Sequence, residues 1–91
     1  MHNDEMRVLV VEDDLKLARS LKRGLALDGY AVEIAGNGDD GLSMATITEF
    51  QAIVLDVMLP GLDGFAVCEA LRARGLWTPV LMLTARIEVT D

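Results

Sequence analysis

The chain has 91 residues, which is enough for one domain, and its hydrophobic fraction of 52% is ample for a buried core. The net charge of −7 argues against a nucleic-acid-binding surface in this chain, because neutralising phosphates needs clustered lysine and arginine side chains. The one cysteine, Cys68, excludes a disulfide framework, and the polar amino terminus and short apolar runs exclude a signal peptide and a membrane span, so we expect a cytoplasmic protein.

The first apolar run, residues 6–11, predicts a strand that is buried on both faces and is therefore central in its sheet. Asp13 or Asp14 can N-cap a helix that follows and runs to about Leu27. Gly29 fits the position that ends such a helix. One face of the helix carries an apolar stripe formed by Leu17, Ala18, Leu21 and Leu25.

A short strand over residues 30–34 is expected near an edge of the sheet, because Glu33 interrupts its apolar run. Residues 36–38 form a predicted turn. A second helix is predicted over about residues 39–47, although its threonines and glycines lower the helix propensity. Its shared face is formed by Gly41, Met44, Ala45 and Thr48.

The apolar run over residues 52–55 leads straight into Asp56 and a proline-glycine turn, which is typical of a buried parallel strand. Asp63 can N-cap a third helix over about residues 64–74, and a last strand covers residues 80–83. Four strands alternating with three helices predict right-handed crossovers and a parallel sheet.

Acidic side chains follow two of these strands. Glu12, Asp13 and Asp14 come after the first strand, and Asp56 comes directly after the third. The carboxyl ends of parallel strands meet at one rim, and neighbouring strands lie about 4.8 Å apart, so four carboxylates would converge. Such carboxylates repel one another unless a cation neutralises them. Oxygen ligands without histidine or cysteine favour Mg²⁺, Mn²⁺ or Ca²⁺ over zinc, and a small site with room for water favours Mg²⁺.

A magnesium site of this kind is typical of phosphoryl chemistry. Asp56 stands alone at its strand end and is the natural nucleophile, which would give an aspartyl-phosphate. Thr84 follows the fourth strand and could donate a hydrogen bond to a phosphoryl oxygen. Acidic residues after strands are also common as helix caps, and Asp14 is a candidate for that role.

Three segments together resemble the receiver domain of a two-component response regulator, namely residues 10–14, 55–64 and 79–86. The resemblance extends from Arg7 to about Arg86, and the sequence of the last two segments is most similar to that of OmpR/PhoB-type transcription factors. It implies a flavodoxin-like (CheY-like) doubly wound sheet with strand order 2-1-3-4-5. In these transcription factors a winged-helix DNA-binding domain follows the receiver.

The resemblance also implies roles for individual residues. Asp56 would accept the phosphoryl group from a sensor histidine kinase. Asp13 would bind Mg²⁺ directly, Glu12 would support the metal, and the backbone carbonyl of Met58 would complete the protein ligands. Thr84 would be the switch hydroxyl that moves toward the phosphoryl group.

The departure from the family is at the carboxyl end, where a receiver continues with a fourth helix, a fifth strand carrying a lysine, and a fifth helix. We therefore expect residues 1–91 to be the N-terminal part of a receiver, truncated after the fourth strand, with the DNA-binding domain downstream and outside this chain. The strand over residues 80–84 would then be an apolar sheet edge, which favours a homodimer. Phosphoryl transfer would be impaired without the lysine.

The leading interpretation is a phosphorylation-controlled switch for transcription and not an enzyme. A Mg²⁺-dependent phosphatase with an aspartate nucleophile is an alternative. It usually needs a second aspartate two residues after the nucleophile, where this chain has Met58. A degenerate receiver that acts as a dimerisation or interaction module without phosphorylation is the other alternative. The acids Glu12, Asp13 and Asp56 together with Thr84 argue against it, although the missing lysine leaves it open for this fragment.

Overall fold

The computed structural model of the protein describes residues 6–83. Strands and helices alternate as the sequence predicts. Their bounds are β1 (Arg7–Val11), α1 (Leu15–Leu27), β2 (Ala31–Ala35), α2 (Gly38–Ile47), β3 (Ala52–Asp56), α3 (Gly64–Ala73) and β4 (Val80–Leu83).

The strands form one parallel sheet with the order β2-β1-β3-β4. β1 is central, as its continuous apolar run predicts, and Glu33 lies on the edge strand β2. In the β1–β3 register Val11 lies opposite Leu55, so both strands end at the same rim. The order is the flavodoxin-like one over the strands that the structure describes, which confirms the predicted fold class.

Alternating side chains of each strand pack on opposite faces of the sheet. Leu9 and Val11 of β1 join α2 and α3 in one apolar cluster, whereas Val8 and Val10 join α1 in the other. Ala18 is the fully buried residue of α1. The predicted stripe residues beside it, Leu21 and Leu25, are partly buried against the same cluster. The sheet is therefore covered by helices on both faces.

Each helix starts at a polar cap that the sequence supplies. The Asp14 carboxylate accepts hydrogen bonds from the first turn of α1, and the Asp63 carboxylate accepts one from the Ala66 amide at 2.8 Å. α2 begins at Gly38, one residue before the predicted start, because the Asn37 side chain caps it by accepting from the Asp40 amide at 2.8 Å.

α1 and α3 stop where the predicted glycines follow. Gly29 and Gly75 have φ angles of +94° and +75°, a left-handed conformation that glycine adopts without strain. None of the helices that the structure describes is long and apolar enough to cross a membrane.

Candidate functional site

Glu12 and Asp56 lie at the carboxyl ends of the two central strands. The pairing of the sheet continues through both positions. The Glu12 amide donates to the Ala35 carbonyl at 3.0 Å, and the Val57 amide donates to the Leu83 carbonyl at 3.0 Å. These hydrogen bonds hold the backbone at the two acids, so both residues lie at the same rim of the sheet.

Three carboxylates meet at this rim within the part of the chain that the structure describes. One oxygen each of Glu12, Asp13 and Asp56 lies within 4.8 Å of the others. Glu12 and Asp56 are almost fully buried, with 2% and 4% of their surface exposed, whereas Asp13 faces solvent. The cluster therefore has a dry inner part and an open side through which a ligand can enter.

Among residues 6–83, one carboxylate oxygen of Glu12 has a hydrogen-bond donor and the other has none. Its Oε2 accepts a hydrogen bond from the Asp14 amide at 2.9 Å. Its Oε1 is buried, and no group within residues 6–83 donates to it. Burial is the main cause that raises the pKa of Glu12 from 4.5 to about 7, and the nearby Asp56 charge raises it further against the opposing amide hydrogen bond.

Asp14 does not join the cluster, so three carboxylates converge and not four. Its Oδ1 accepts from the amides of Lys16 and Leu17 at 3.0 and 3.3 Å. The expectation of four converging acids is corrected here, since capping α1 occupies the Asp14 carboxylate.

Asp56 is oriented by the loop that follows it, residues 57–63. Its Oδ1 accepts a hydrogen bond from the Met58 amide at 3.1 Å. The same loop and Asp13 border an open depression of about 590 Å³, lined by Asp13, Val57, Met58, Leu59, Pro60, Asp63 and Phe65. Met58, the predicted carbonyl ligand, thus lines the same depression as Asp13.

Close backbone packing holds loop 57–63 at its far end. The Gly64 amide donates to the Val57 carbonyl at 3.1 Å. A Cβ on Gly64 would collide with the Asp56 carbonyl oxygen and would lie 2.9 Å from the Val57 Cα. Glycine is therefore required at this position by the close approach of two backbone segments.

The donor set fits a small divalent cation. Carboxylate oxygens from three residues, with water access through Asp13, suit Mg²⁺, which keeps several waters and binds few protein ligands. The buried Oε1 of Glu12 has no donor among residues 6–83, and a cation or its bound water would satisfy it. Glu12, Asp13 and Asp56 are thus the described residues that could hold the ion.

Thr84, the predicted switch hydroxyl, lies outside the described residues. Sequence reasoning missed one contact of loop 57–63, in which Gly38 of α2 packs against Leu62. The sequence predicts a turn at Gly38, and it carries no signal that separates a turn glycine from one in close contact with a distant loop.

Residues 8–91 match the family model described as the response regulator receiver domain. Among curated relatives, the transcriptional regulatory protein TcrA of Mycobacterium tuberculosis is 49% identical over 86 residues, which cover 94% of this chain and 34% of that protein. The response regulator MprA of Mycobacterium avium is 48% identical, with coverage of 94% and 38%. The chain thus spans about a third of the length of these curated relatives.

Solved structures of response regulators also match this chain. The receiver domain of a Francisella response regulator superposes with a TM-score of 0.86 at 32% identity, covering 92% of this chain and 69% of that one. The response regulator TrrA from Thermotoga maritima, solved in complex with Mg²⁺ and BeF, has a TM-score of 0.84 at 30% identity, with coverage of 89% and 70%.

Proposed function

The chain belongs to the response regulator receiver family, and on that premise we propose that Asp56 accepts a phosphoryl group with the help of Mg²⁺. The observation that carries the proposal is the cluster of Glu12, Asp13 and Asp56 at the carboxyl rim of the parallel sheet. Two of these acids are almost fully buried, which is costly for structural side chains without a ligand.

The three acids have different roles in this proposal. Asp13, which is exposed, would bind the ion directly, and Glu12 would support it through its buried Oε1, which has no donor within residues 6–83. Bound Mg²⁺ would neutralise the negative charge on the oxygens of the transferred phosphoryl group. The Met58 amide holds Asp56 through Oδ1, and Met58 itself lines the depression that loop 57–63 borders.

The proposed reaction is a displacement at phosphorus. A carboxylate oxygen of Asp56 forms a bond to the phosphorus atom of a phosphohistidine, and the phosphorus–nitrogen bond breaks with its electron pair going to the imidazole. The donor is a sensor histidine kinase. The partner chemistry follows from the family to which the chain belongs and from the acceptor type of the Asp56 site.

The output of the switch is transcription in this proposal. The relatives are named as transcriptional regulatory proteins and response regulators, and each is about three times as long as this chain. We place residues 1–91 in the receiver of such a protein, with a winged-helix DNA-binding domain downstream, in the cytoplasm. The phosphoryl group adds about two negative charges and shifts the population between two conformations of the receiver.

The test uses Mg²⁺ with beryllofluoride, a mimic of the phosphoryl group on a carboxylate. Saturable binding to the wild-type chain, measured by calorimetry, is the expected result, and Asp56→Asn should abolish it. Asp28→Asn is the matched control, because Asp28 is an exposed residue at the end of α1 and does not belong to the carboxylate cluster. Equal binding by the Asp56→Asn variant, or no binding by the wild type, would overturn the proposal. Hydrolysis of small phosphate esters would favour the phosphatase alternative.

We also propose that, if residues 1–91 are the whole molecule, two copies associate through β4. Within residues 6–83, β4 is hydrogen-bonded to β3 on one side and lies at the edge of the sheet. Leu81 on this strand is 62% exposed although it is a large apolar residue. An apolar edge strand offers both unpaired backbone groups and hydrophobic surface to a second copy.

A further inference from the structure

The first residue of α2 is in close contact with loop 57–63. A Cβ on Gly38 would collide with the Leu62 carbonyl oxygen, and it would lie 3.1 Å from the Leu62 carbonyl carbon and 3.0 Å from the Val67 Cγ2. Gly38 is buried, and its φ is not in the left-handed region that favours glycine. The close approach, and not the backbone conformation, therefore requires glycine at this position.

Contacts at both ends of loop 57–63 restrict its movement, so a displacement at Leu62 is not confined to that residue. At its start the Met58 amide is bonded to Asp56 Oδ1 at 3.1 Å. Leu59 is buried in the core. At its end the Gly64 amide is bonded to the Val57 carbonyl at 3.1 Å. A shift of the Leu62 carbonyl is therefore passed to the segment that carries Met58.

We propose that Gly38 is a positioning residue for the Asp56 site. Its missing side chain allows Leu62 to lie directly against the start of α2, and this contact sets the position of loop 57–63. The loop in turn orients Asp56 through the Met58 amide. The inference rests on the proposed function for its ligand readout, whereas the position of the loop can be measured without any ligand.

Two other helical glycines of this chain are matched controls. A Cβ on Gly41, also in α2, would lie 2.8 Å from the Val11 Cγ2 and 2.9 Å from the Val11 Cγ1. These are side-chain atoms of the core beneath the helix and not atoms of loop 57–63. A Cβ on Gly24 in α1 would meet nothing within 4 Å. The three glycine-to-alanine variants therefore separate loop displacement, core crowding and the general effect of the substitution.

The experiment measures three quantities for wild type, Gly38→Ala, Gly41→Ala and Gly24→Ala. They are urea stability, hydrogen exchange of the Met58 amide without ligand, and affinity for Mg²⁺ with beryllofluoride. Gly38→Ala should weaken ligand binding by about tenfold, the size expected when a group that orients a metal ligand is disturbed, and should speed exchange at Met58. Gly41→Ala should lower stability with ligand affinity within about twofold of wild type. Gly24→Ala should change neither exchange nor affinity.

The outcomes separate this inference from the proposed function. If Gly38→Ala and Gly41→Ala change affinity and Met58 exchange equally, or if neither changes them, Gly38 is not a positioning residue. A Gly38→Ala chain that unfolds is studied again in trimethylamine N-oxide, which favours the compact state. If it remains unfolded there while Gly41→Ala folds, Gly38 is needed for the fold itself and the inference fails. If the wild type binds no beryllofluoride, the proposed function fails, and the Met58 exchange data still decide the role of Gly38.

Discussion

The carboxylates of Glu12 and Asp56 approach within 4.8 Å of each other at the ends of the neighbouring strands β1 and β3. Both residues are almost fully buried. Two like charges at this distance in a dry environment repel each other and favour protonation of one of them. This repulsion adds to the effect of burial, which is the main cause of the raised pKa of Glu12.

The stability of the metal-free protein should fall as the pH rises from about 4.5 to about 7. The pKa of Glu12 is about 7 in the folded protein against 4.5 unperturbed, so between these values the folded state binds more protons than the unfolded state. Ionisation of Glu12 therefore lowers the unfolding free energy by roughly 3 kcal/mol. This loss is absent below about pH 4.5 and complete above about pH 7. The neighbouring Asp13 and Asp56 side chains add to this rise in the pKa of Glu12.

Urea unfolding at several pH values checks this prediction. The quantity to compare is the difference in unfolding free energy between wild type and Glu12→Gln, because all other groups titrate in both proteins. The unfolding free energy of Glu12→Gln should rise relative to that of the wild type as the pH increases from about 4.5 to about 7. Glu49→Gln, at an exposed position before β3, is the control and should follow the wild type. A difference that is constant with pH would contradict the assigned environment of Glu12.

Mg²⁺ should stabilise the folded chain. An ion that binds only the folded state at a hundred times its dissociation constant raises the unfolding free energy by about 2.7 kcal/mol. Asp13→Asn should remove most of this gain, because Asp13 belongs to the cluster. Asp14→Asn should keep it, since Asp14 caps α1 instead. Thermal unfolding with and without Mg²⁺ measures the effect, and equal losses in both variants would contradict the assignment.

Truncation of a central core side chain should destabilise the fold strongly. Leu55 on β3 is fully buried in the cluster under α2 and α3. Leu55→Ala should lower the unfolding free energy by about 2 to 5 kcal/mol through lost burial and the cavity left behind. Leu27→Ala, at the exposed end of α1, should stay within about 0.5 kcal/mol of wild type. Urea unfolding of both variants gives the comparison.

Self-association should depend on the β4 edge. Leu81→Lys places a charge on this exposed apolar position and should shift the chain toward monomer. Leu27→Lys introduces the same charge on α1, far from this strand in the chain, and should leave association unchanged. Sedimentation velocity over a concentration series measures the result. A wild-type chain that stays monomeric at high concentration would refute association through β4.

The order of elements could be predicted because each strand is a short apolar run with turn residues on both sides. The polar residues that cap α1 and α3 and the glycines that follow these helices are equally local signals, and the structure bears out Asp14, Asp63, Gly29 and Gly75 in these roles. The start of α2 was placed one residue late, because a Gly-Asn-Gly stretch favours a turn as readily as a helix cap.

The meeting of Glu12, Asp13 and Asp56 was also predictable, since parallel strands bring their carboxyl ends to one rim. Two features depended on the tertiary structure, namely the buried Oε1 of Glu12, which has no donor within residues 6–83, and the contact between Gly38 and Leu62. Local patterns report which element a residue belongs to, whereas these features depend on distances between segments far apart in the chain. Only the packing of helices on both faces of the sheet determines such distances.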